Sequence, residues 1–288
     1  MTQTAESKSL ASIKMFVTDY DGTLAACNGR VSKFNTDALK LLGKHNIVRV
    51  IATGRSLFSL SQVIDYDFPV DYLVFSSGAG VMQFDTGEIF FSHCFDSDSI
   101  EHIAYWLSQN NYNYMVHKPV PDNHYFYASP SGGGHPDFSR RISHYSQLGV
   151  ELLINLPAAA AQFLVICDNH GDDYERIEAY FGEHKVIKTT SPFDGESLWV
   201  EIFPKGVSKA TGIEFLCEKL NISNHETVVC GNDYNDLDML EWSEHPFVTL
   251  NAPESLLSSF SNIPKNTDDG VAVLIKEILN KTIVATWQ

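Results

Sequence analysis

Met15-Phe16-Val17-Thr18 is a short apolar run that ends in Asp19-Tyr20-Asp21-Gly22-Thr23. The run reads as a strand, and the two aspartates sit one residue apart just past its end. There they need not point to opposite faces. One carboxylate can attack phosphorus and hold a phosphoryl group covalently. The other can protonate the leaving oxygen and later take a proton from water. Gly22 lets the chain turn sharply. An ordinary Asp-Gly turn after a strand has the same composition, so this reading needs support from other strand ends.

Outward from that stretch, strand and helix patterns alternate. A helix fits residues 35–46, with Ala38, Leu41, Leu42 and His45 on one face. Val48–Thr53 is a second strand, Leu57, Leu60 and Ile64 mark a helix, and Tyr72–Ser77 is a third strand. This order implies a parallel sheet with its ligand site beyond the carboxyl ends of the strands. The middle of the chain differs. Asp98 is placed to cap a helix carrying Ile100, Ile103, Ala104 and Leu107. Strand-like runs follow at 112–118, 124–129, 151–156 and 162–168, with a loop at Ser131–Pro136 and a helix at 172–182. From Leu198–Phe203 onward the pattern reads as parallel again: a helix at Ser208–Leu220, strands at Thr227–Cys230 and Phe247–Leu250, and a closing helix at 271–280. The expected fold is α/β, a Rossmann-like core from residues 1–91 and 193–288, interrupted by an α+β module at 92–192.

Three more polar motifs fall at strand ends or helix starts. Thr53-Gly54-Arg55 offers a hydroxyl and a bare backbone to a phosphoryl oxygen. Lys209 lies in the first turn of a predicted helix, where the dipole disfavours a cation. A lysine aimed at the aspartates would offset their charge and that of a transferring phosphoryl group. Gly231-Asn232-Asp233-Tyr234-Asn235-Asp236 supplies clustered oxygens of the kind Mg²⁺ takes together with phosphate and water.

In combination these residues resemble the haloacid dehalogenase superfamily, in its Cof-type branch with a C2 (type IIB) cap. Asp19-x-Asp21-Gly22-Thr23 matches its motif I, Thr53 motif II, Lys209 motif III and Gly231–Asp236 motif IV; Asn251-Ala252 and Asp269–Ala272 look like the branch's C-terminal pattern. The resemblance implies Asp19 as nucleophile and metal ligand, and Asp21 as general acid/base whose main-chain carbonyl binds Mg²⁺. It implies Thr53, Gly54, Lys209 and Asn235 at the phosphate or substrate, and Asn232 and Asp236 at the metal. The chain departs from the pattern at Asn232, where the branch commonly has Asp, and at Ser77, where it often has Asn. The segment Leu24–Asn35 is too short for the cap that the mutases and dehalogenases carry there. The implied activity is hydrolysis of a small phosphorylated metabolite, often a sugar phosphate. A C2-capped phosphomutase and a metabolite-binding protein without turnover are the alternatives.

The formal net charge of -16 argues against nucleic acid or anionic membrane as partner. Five scattered cysteines without CxxC spacing fit a reducing cytoplasm, with Cys167 and Cys230 as buried thiols. No signal peptide or membrane span is expected. His117, Lys118, His124, Tyr125 and Arg140 of the inserted module are read as surface or core residues ahead of substrate contacts.

Overall fold

The computed structural model describes residues 10–26, 29–191 and 193–285. Cys27 and the residues before Leu10, read above for thiols and a leader, lie outside that range. The chain divides into two units. Met1–Arg55, Leu60–Phe90 and Ser208–Gln288 form the first, and Ser56–Ser59 with Phe91–Val207 the second.

The chain opens with the expected parallel strands β1 (Met15–Thr18), β2 (Val48–Ala52) and β3 (Tyr72–Phe75). All four residues of β1 are buried, as in a strand covered on both faces. Helix α1 (Lys33–Lys44) joins β1 to β2, and Ser32 caps it by accepting from the Asn35 N–H at 3.0 Å. Its buried face is Asn35, Ala38, Leu39 and Leu42, one step round from the predicted face; Leu41 is 37% exposed. Asn35 explains the shift. Its Nδ2 donates to Leu24 O at 3.0 Å and its Oδ1 accepts from Ala272 N at 2.9 Å, so a polar residue is satisfied inside. Helix α2 (Leu57–Ser61) follows β2. After β3 the chain reverses through Ser76–Gly78 into antiparallel β4 (Gly80–Gln83), and β5 (Ile89–Ser92) ends that edge.

Helix α3 (Ser97–Gln109) begins the second unit's regular structure. Asp96, not the predicted Asp98, caps it by accepting from Ser99 N at 2.9 Å. Strands β6 (Asn113–His117), β7 (Phe126–Ser129), β8 (Glu151–Leu152), β9 (Gln162–Cys167), β10 (Lys185–Thr190) and β11 (Leu198–Phe203) form a sheet ordered β10-β11-β9-β6-β7-β8. One face packs Tyr114, Val116, Phe163 and Val200 against α3 and α5 (Asp173–Tyr180). The other packs Met115, Leu164, Ile166 and Trp199 against Phe138 of α4 (Pro136–His144). The sequence reading missed α4, whose apolar content beyond Pro136 is only Phe138 and Ile142. It also placed Leu198–Phe203 in the parallel core. That strand pairs antiparallel with β9 and β10, so the units part at Val207/Ser208 and not at 192/193. A strand buried on both faces looks the same in either sheet.

The chain then returns through α6 (Lys209–Leu220), β12 (Thr227–Gly231), α7 (Leu237–Trp242), β13 (His245–Thr249), α8 (Glu254–Ser259), β14 (Ser261–Ile263) and α9 (Gly270–Ala285). The large sheet has the order β14-β13-β12-β1-β2-β3-β4-β5. It is the Rossmann-like core expected, and the second unit is the expected α+β insertion. Strand β1 lies between β2 and β12, where the strand order reverses; open α/β sheets place their ligand sites beyond the carboxyl ends at such points. Among the described residues no helix is long and apolar enough to cross a membrane.

Candidate active site

The parallel register sets Thr18 of β1 opposite Ile51 of β2 and Cys230 of β12, so three strand ends finish almost level. Asp19 continues the ladder by one bond, its N–H donating to Cys230 O at 2.8 Å. This fixes the backbone of the first aspartate beside the start of the Gly231–Asp236 loop.

Lys209 ties the cluster together. Its Nζ donates to Asp19 Oδ1 and to Asp236 Oδ1, both at 2.6 Å, and only 1% of its side chain is exposed. Ser208 and Thr211 form a capping box at the start of α6, which holds Lys209 in the first turn. The two carboxylates outweigh the unfavourable dipole there. Burial alone would lower the Lys209 pKa, but Asp19 and Asp236 hold it above the ordinary lysine range. Burial pushes Asp19 up to about 7 against the opposing pull of Lys209, and Asp236 adds to the rise. Asp236 is fully buried, and its Oδ2 accepts from Asn232 N at 2.8 Å and Asp233 N at 3.1 Å. Among the described residues nothing donates to Asp19 Oδ2.

Asp21 is half-exposed and forms a bidentate pair with Arg55, Nε to Oδ2 at 2.7 Å and Nη2 to Oδ1 at 2.8 Å. Sequence reasoning gave Arg55 no role. Thr53 is buried at the end of β2, with its Oγ1 accepting from Arg55 N at 3.1 Å, while Gly54 is exposed. Ser76, Ser77 and Gly78 all have positive φ, at 50°, 56° and 98°. A Cβ on Gly78 would lie 1.9 Å from Ser208 O, so only glycine lets this turn bear against the start of α6. Ser77 is buried, and its Oγ would be 3.5 Å from a Cβ on Gly54.

Asn232 faces the first aspartate loop. Its Oδ1 accepts from Thr23 Oγ1 at 2.8 Å, and a Cβ on Gly22 would meet its Nδ2 at 2.6 Å. Asp233 is exposed, and its Oδ1 accepts from Tyr234 N at 2.7 Å. Asn235 is exposed, and among the described residues no hydrogen bond joins its side chain to the cluster. Three asparagines that sequence reasoning left without a role hold the loop after Asp21. Asn251 donates to Gly22 O at 2.9 Å, Asn266 to Ala25 O at 3.0 Å and Asn35 to Leu24 O at 3.0 Å. Burial of Asn35 and Asn266 is the signal, and it is visible only in three dimensions.

Among the described residues no group of three or more His, Cys, Asp or Glu side chains gathers as a metal cage. Two carboxylates, an amide oxygen and a main-chain carbonyl nevertheless match what Mg²⁺ takes when water and phosphate complete its shell. Asp19, Asp236, Asn232 and the Asp21 carbonyl, the residues that the resemblance implies, have donor atoms of these kinds.

A family model described as haloacid dehalogenase-like hydrolase matches residues 16–275. Phosphatase YwpJ of Bacillus subtilis is 23% identical over 290 residues, covering 93% of this chain and 100% of that protein. The 5-amino-6-(5-phospho-D-ribitylamino)uracil phosphatase YwtE of the same organism is 22% identical over 292 residues, covering 93% of this chain and 99% of that protein. Among solved structures, BT1666 of Bacteroides thetaiotaomicron, from work on phosphatases of the haloalkanoate (HAD) enzyme superfamily, superposes with a TM-score of 0.77 at 19% identity, covering 96% of this chain and 99% of that one. A match over this length, with the motifs ordered along the sheet, means that the chain belongs to the Cof-type haloacid dehalogenase-like hydrolases.

Proposed function

We propose that this protein is a magnesium-dependent phosphomonoester hydrolase that acts on a small phosphorylated metabolite, a sugar phosphate by class, through a phospho-aspartate on Asp19. The observation that carries the reading is the buried Lys209 bridge, which orients Asp19 while leaving its Oδ2 without a donor among the described residues. An oxygen of Asp19 attacks phosphorus as the bond to the leaving oxygen breaks. Asp21 gives its proton to that oxygen. Asp21, now a carboxylate, takes a proton from water; the water oxygen attacks phosphorus and the bond to Asp19 breaks, releasing phosphate and restoring both groups. Because Arg55 holds both oxygens of Asp21, one must come free for these transfers. Thr53, Gly54 and Lys209 receive the phosphoryl oxygens, and Asn235 lies on the exposed side of the loop for substrate. Asp19, Asp236, Asn232 and the Asp21 carbonyl would hold Mg²⁺, which supplies charge neutralisation at the phosphoryl group when bound.

The relatives support a small phosphorylated metabolite as the substrate. One is named for a phosphorylated ribitylamino compound and another, from Klebsiella pneumoniae, is an HMP-PP phosphatase. The test is phosphate release from a panel of sugar phosphates and an aryl phosphate, with Mg²⁺ or chelator, beside Asp19→Asn. Turnover that needs Mg²⁺ and is lost in the variant is expected. Folded protein that releases phosphate from none of them would sink the proposal.

A further inference from the structure

Three hydrogen-bond donors gather where β2 ends and the turn after β3 begins, and among the described residues none of them is used. Thr53 Oγ1 accepts from Arg55 N at 3.1 Å, but its own proton goes to no described residue. The Gly54 N–H likewise has no partner among the described residues. The third donor is Ser77. It is 5% exposed, and no hydrogen bond joins its hydroxyl to any described residue. Buried hydroxyls are ordinarily bonded.

Ser76 and Ser77 have φ of 50° and 56°, the left-handed region that residues with a Cβ disfavour. The turn stays there because it is fastened to the loop after β2. Ser76 N donates to Arg55 O at 2.9 Å, and Ser77 N to Thr53 O at 3.0 Å. A glycine at position 77 would adopt the same φ without a Cβ to strain, and it would keep the N–H that does the fastening. The backbone therefore has no need of a side chain there. What serine adds is a hydroxyl, 3.5 Å from where a Cβ on Gly54 would lie. A disfavoured conformation retained for the sake of one polar group points to function.

Three unspent donors around one glycine suit a ligand rich in acceptors. A phosphoryl group carries three strong acceptor oxygens and a negative charge that strengthens each bond to them. Gly78, the next residue, bears against the Ser208 carbonyl at the start of α6, so the same turn also adjoins the helix that carries Lys209. We propose that Ser77 is a phosphoryl-binding residue, its hydroxyl donating to a phosphoryl oxygen beside Thr53 and Gly54. The assignment rests on the phosphatase reading and extends its phosphoryl contacts to the turn after β3.

Two variants separate the hydroxyl from the backbone. Ser77→Ala removes the hydroxyl and keeps a Cβ at the disfavoured φ. Ser77→Gly removes the hydroxyl and relieves the strain, so it is expected to melt above Ser77→Ala. Binding of inorganic phosphate is measured by calorimetry with Mg²⁺ present, beside kcat/KM on p-nitrophenyl phosphate. Loss of a hydrogen bond to a charged group is expected to weaken phosphate binding about tenfold or more in both variants, and to lower kcat/KM in both. Equal losses in two variants of unequal stability would tie the effect to the hydroxyl. Unchanged values in both folded variants, or a loss confined to the variant that melts lower, would overturn the assignment and leave the phosphatase reading intact. A natural protein that neither binds inorganic phosphate nor releases it from p-nitrophenyl phosphate would overturn both.

Discussion

Lys209 shows how a residue that local rules disfavour becomes the centre of a site. Its helix position is unfavourable for a cation, and two buried carboxylates reverse that. Lys209→Met would leave both carboxylates buried without their counter-ion. It is expected to destabilise the fold by about 3–5 kcal/mol at pH 7, read by urea unfolding; an unchanged midpoint would mean that water reaches the pair. Asp21→Asn keeps the shape but removes the proposed proton donor. A fall of about 10²–10⁴-fold in kcat is expected on alkyl phosphates, and a smaller one on p-nitrophenyl phosphate, whose leaving group needs little protonation. Equal losses on both would assign Asp21 another role. Gly78→Ala is expected to cost about 1–3 kcal/mol, because its Cβ would meet the Ser208 carbonyl; circular-dichroism melts check this. Asp19, Asp21, Thr53 and Lys209 stand out in the sequence because their types and order carry chemistry, and the structure joins Lys209 to Asp19. Arg55 was not legible, because its partner lies 34 residues away.

Elements were legible where one local signal dominates. The β1, β2 and β12 runs are apolar and end in polar loops, and the start of α6 announces itself by Ser208 and Thr211. The capping box both ends the strand-to-helix loop and sets the entry of Lys209. Ser208→Ala is expected to cost about 1 kcal/mol of stability, read by thermal melting; no loss would show that Gly78 and the lysine bridge suffice to hold the helix start. Elements were misread where a polar residue is buried or an apolar one is common to two sheets. Asn35 turned the predicted face of α1, since its amide is satisfied by Leu24 and Ala272 far along the chain. Strand β11 carries no mark of which sheet it joins, because its pairing with β9 and β10 is a tertiary choice.

At the scale of the whole molecule, acid stability has an identifiable contributor. Burial and then Arg141 push His117 down to about 3. The unfolded chain takes up that proton near pH 6.5, while the folded chain refuses it until about pH 3. The stability it contributes is therefore whole above about pH 6.5 and falls as pH drops towards 3, by at most about 1.4 kcal/mol per pH unit. Melting temperature against pH, compared with His117→Gln, is expected to show a shallower acid slope in the variant; identical slopes would refute the assignment. The unit boundary is testable too. Replacing 91–207 by a flexible linker removes all of β6–β11 and takes from the large sheet only the last two residues of its edge strand β5, whereas removing 92–192 leaves β11 without β9 and β10. Monomeric, folded protein is expected from the first deletion and aggregation from the second, by size exclusion; equal behaviour would argue for the earlier boundary. The sequence alone determined the α/β class and the order of the motifs, because periodicity and side-chain chemistry are local properties. Only the tertiary structure decided that Arg55 holds Asp21, that buried asparagines clamp the loop, and that β11 belongs to the insertion. Each of those depends on which distant groups meet, and hydrogen bonds between residues far apart in the chain leave no periodic trace in it.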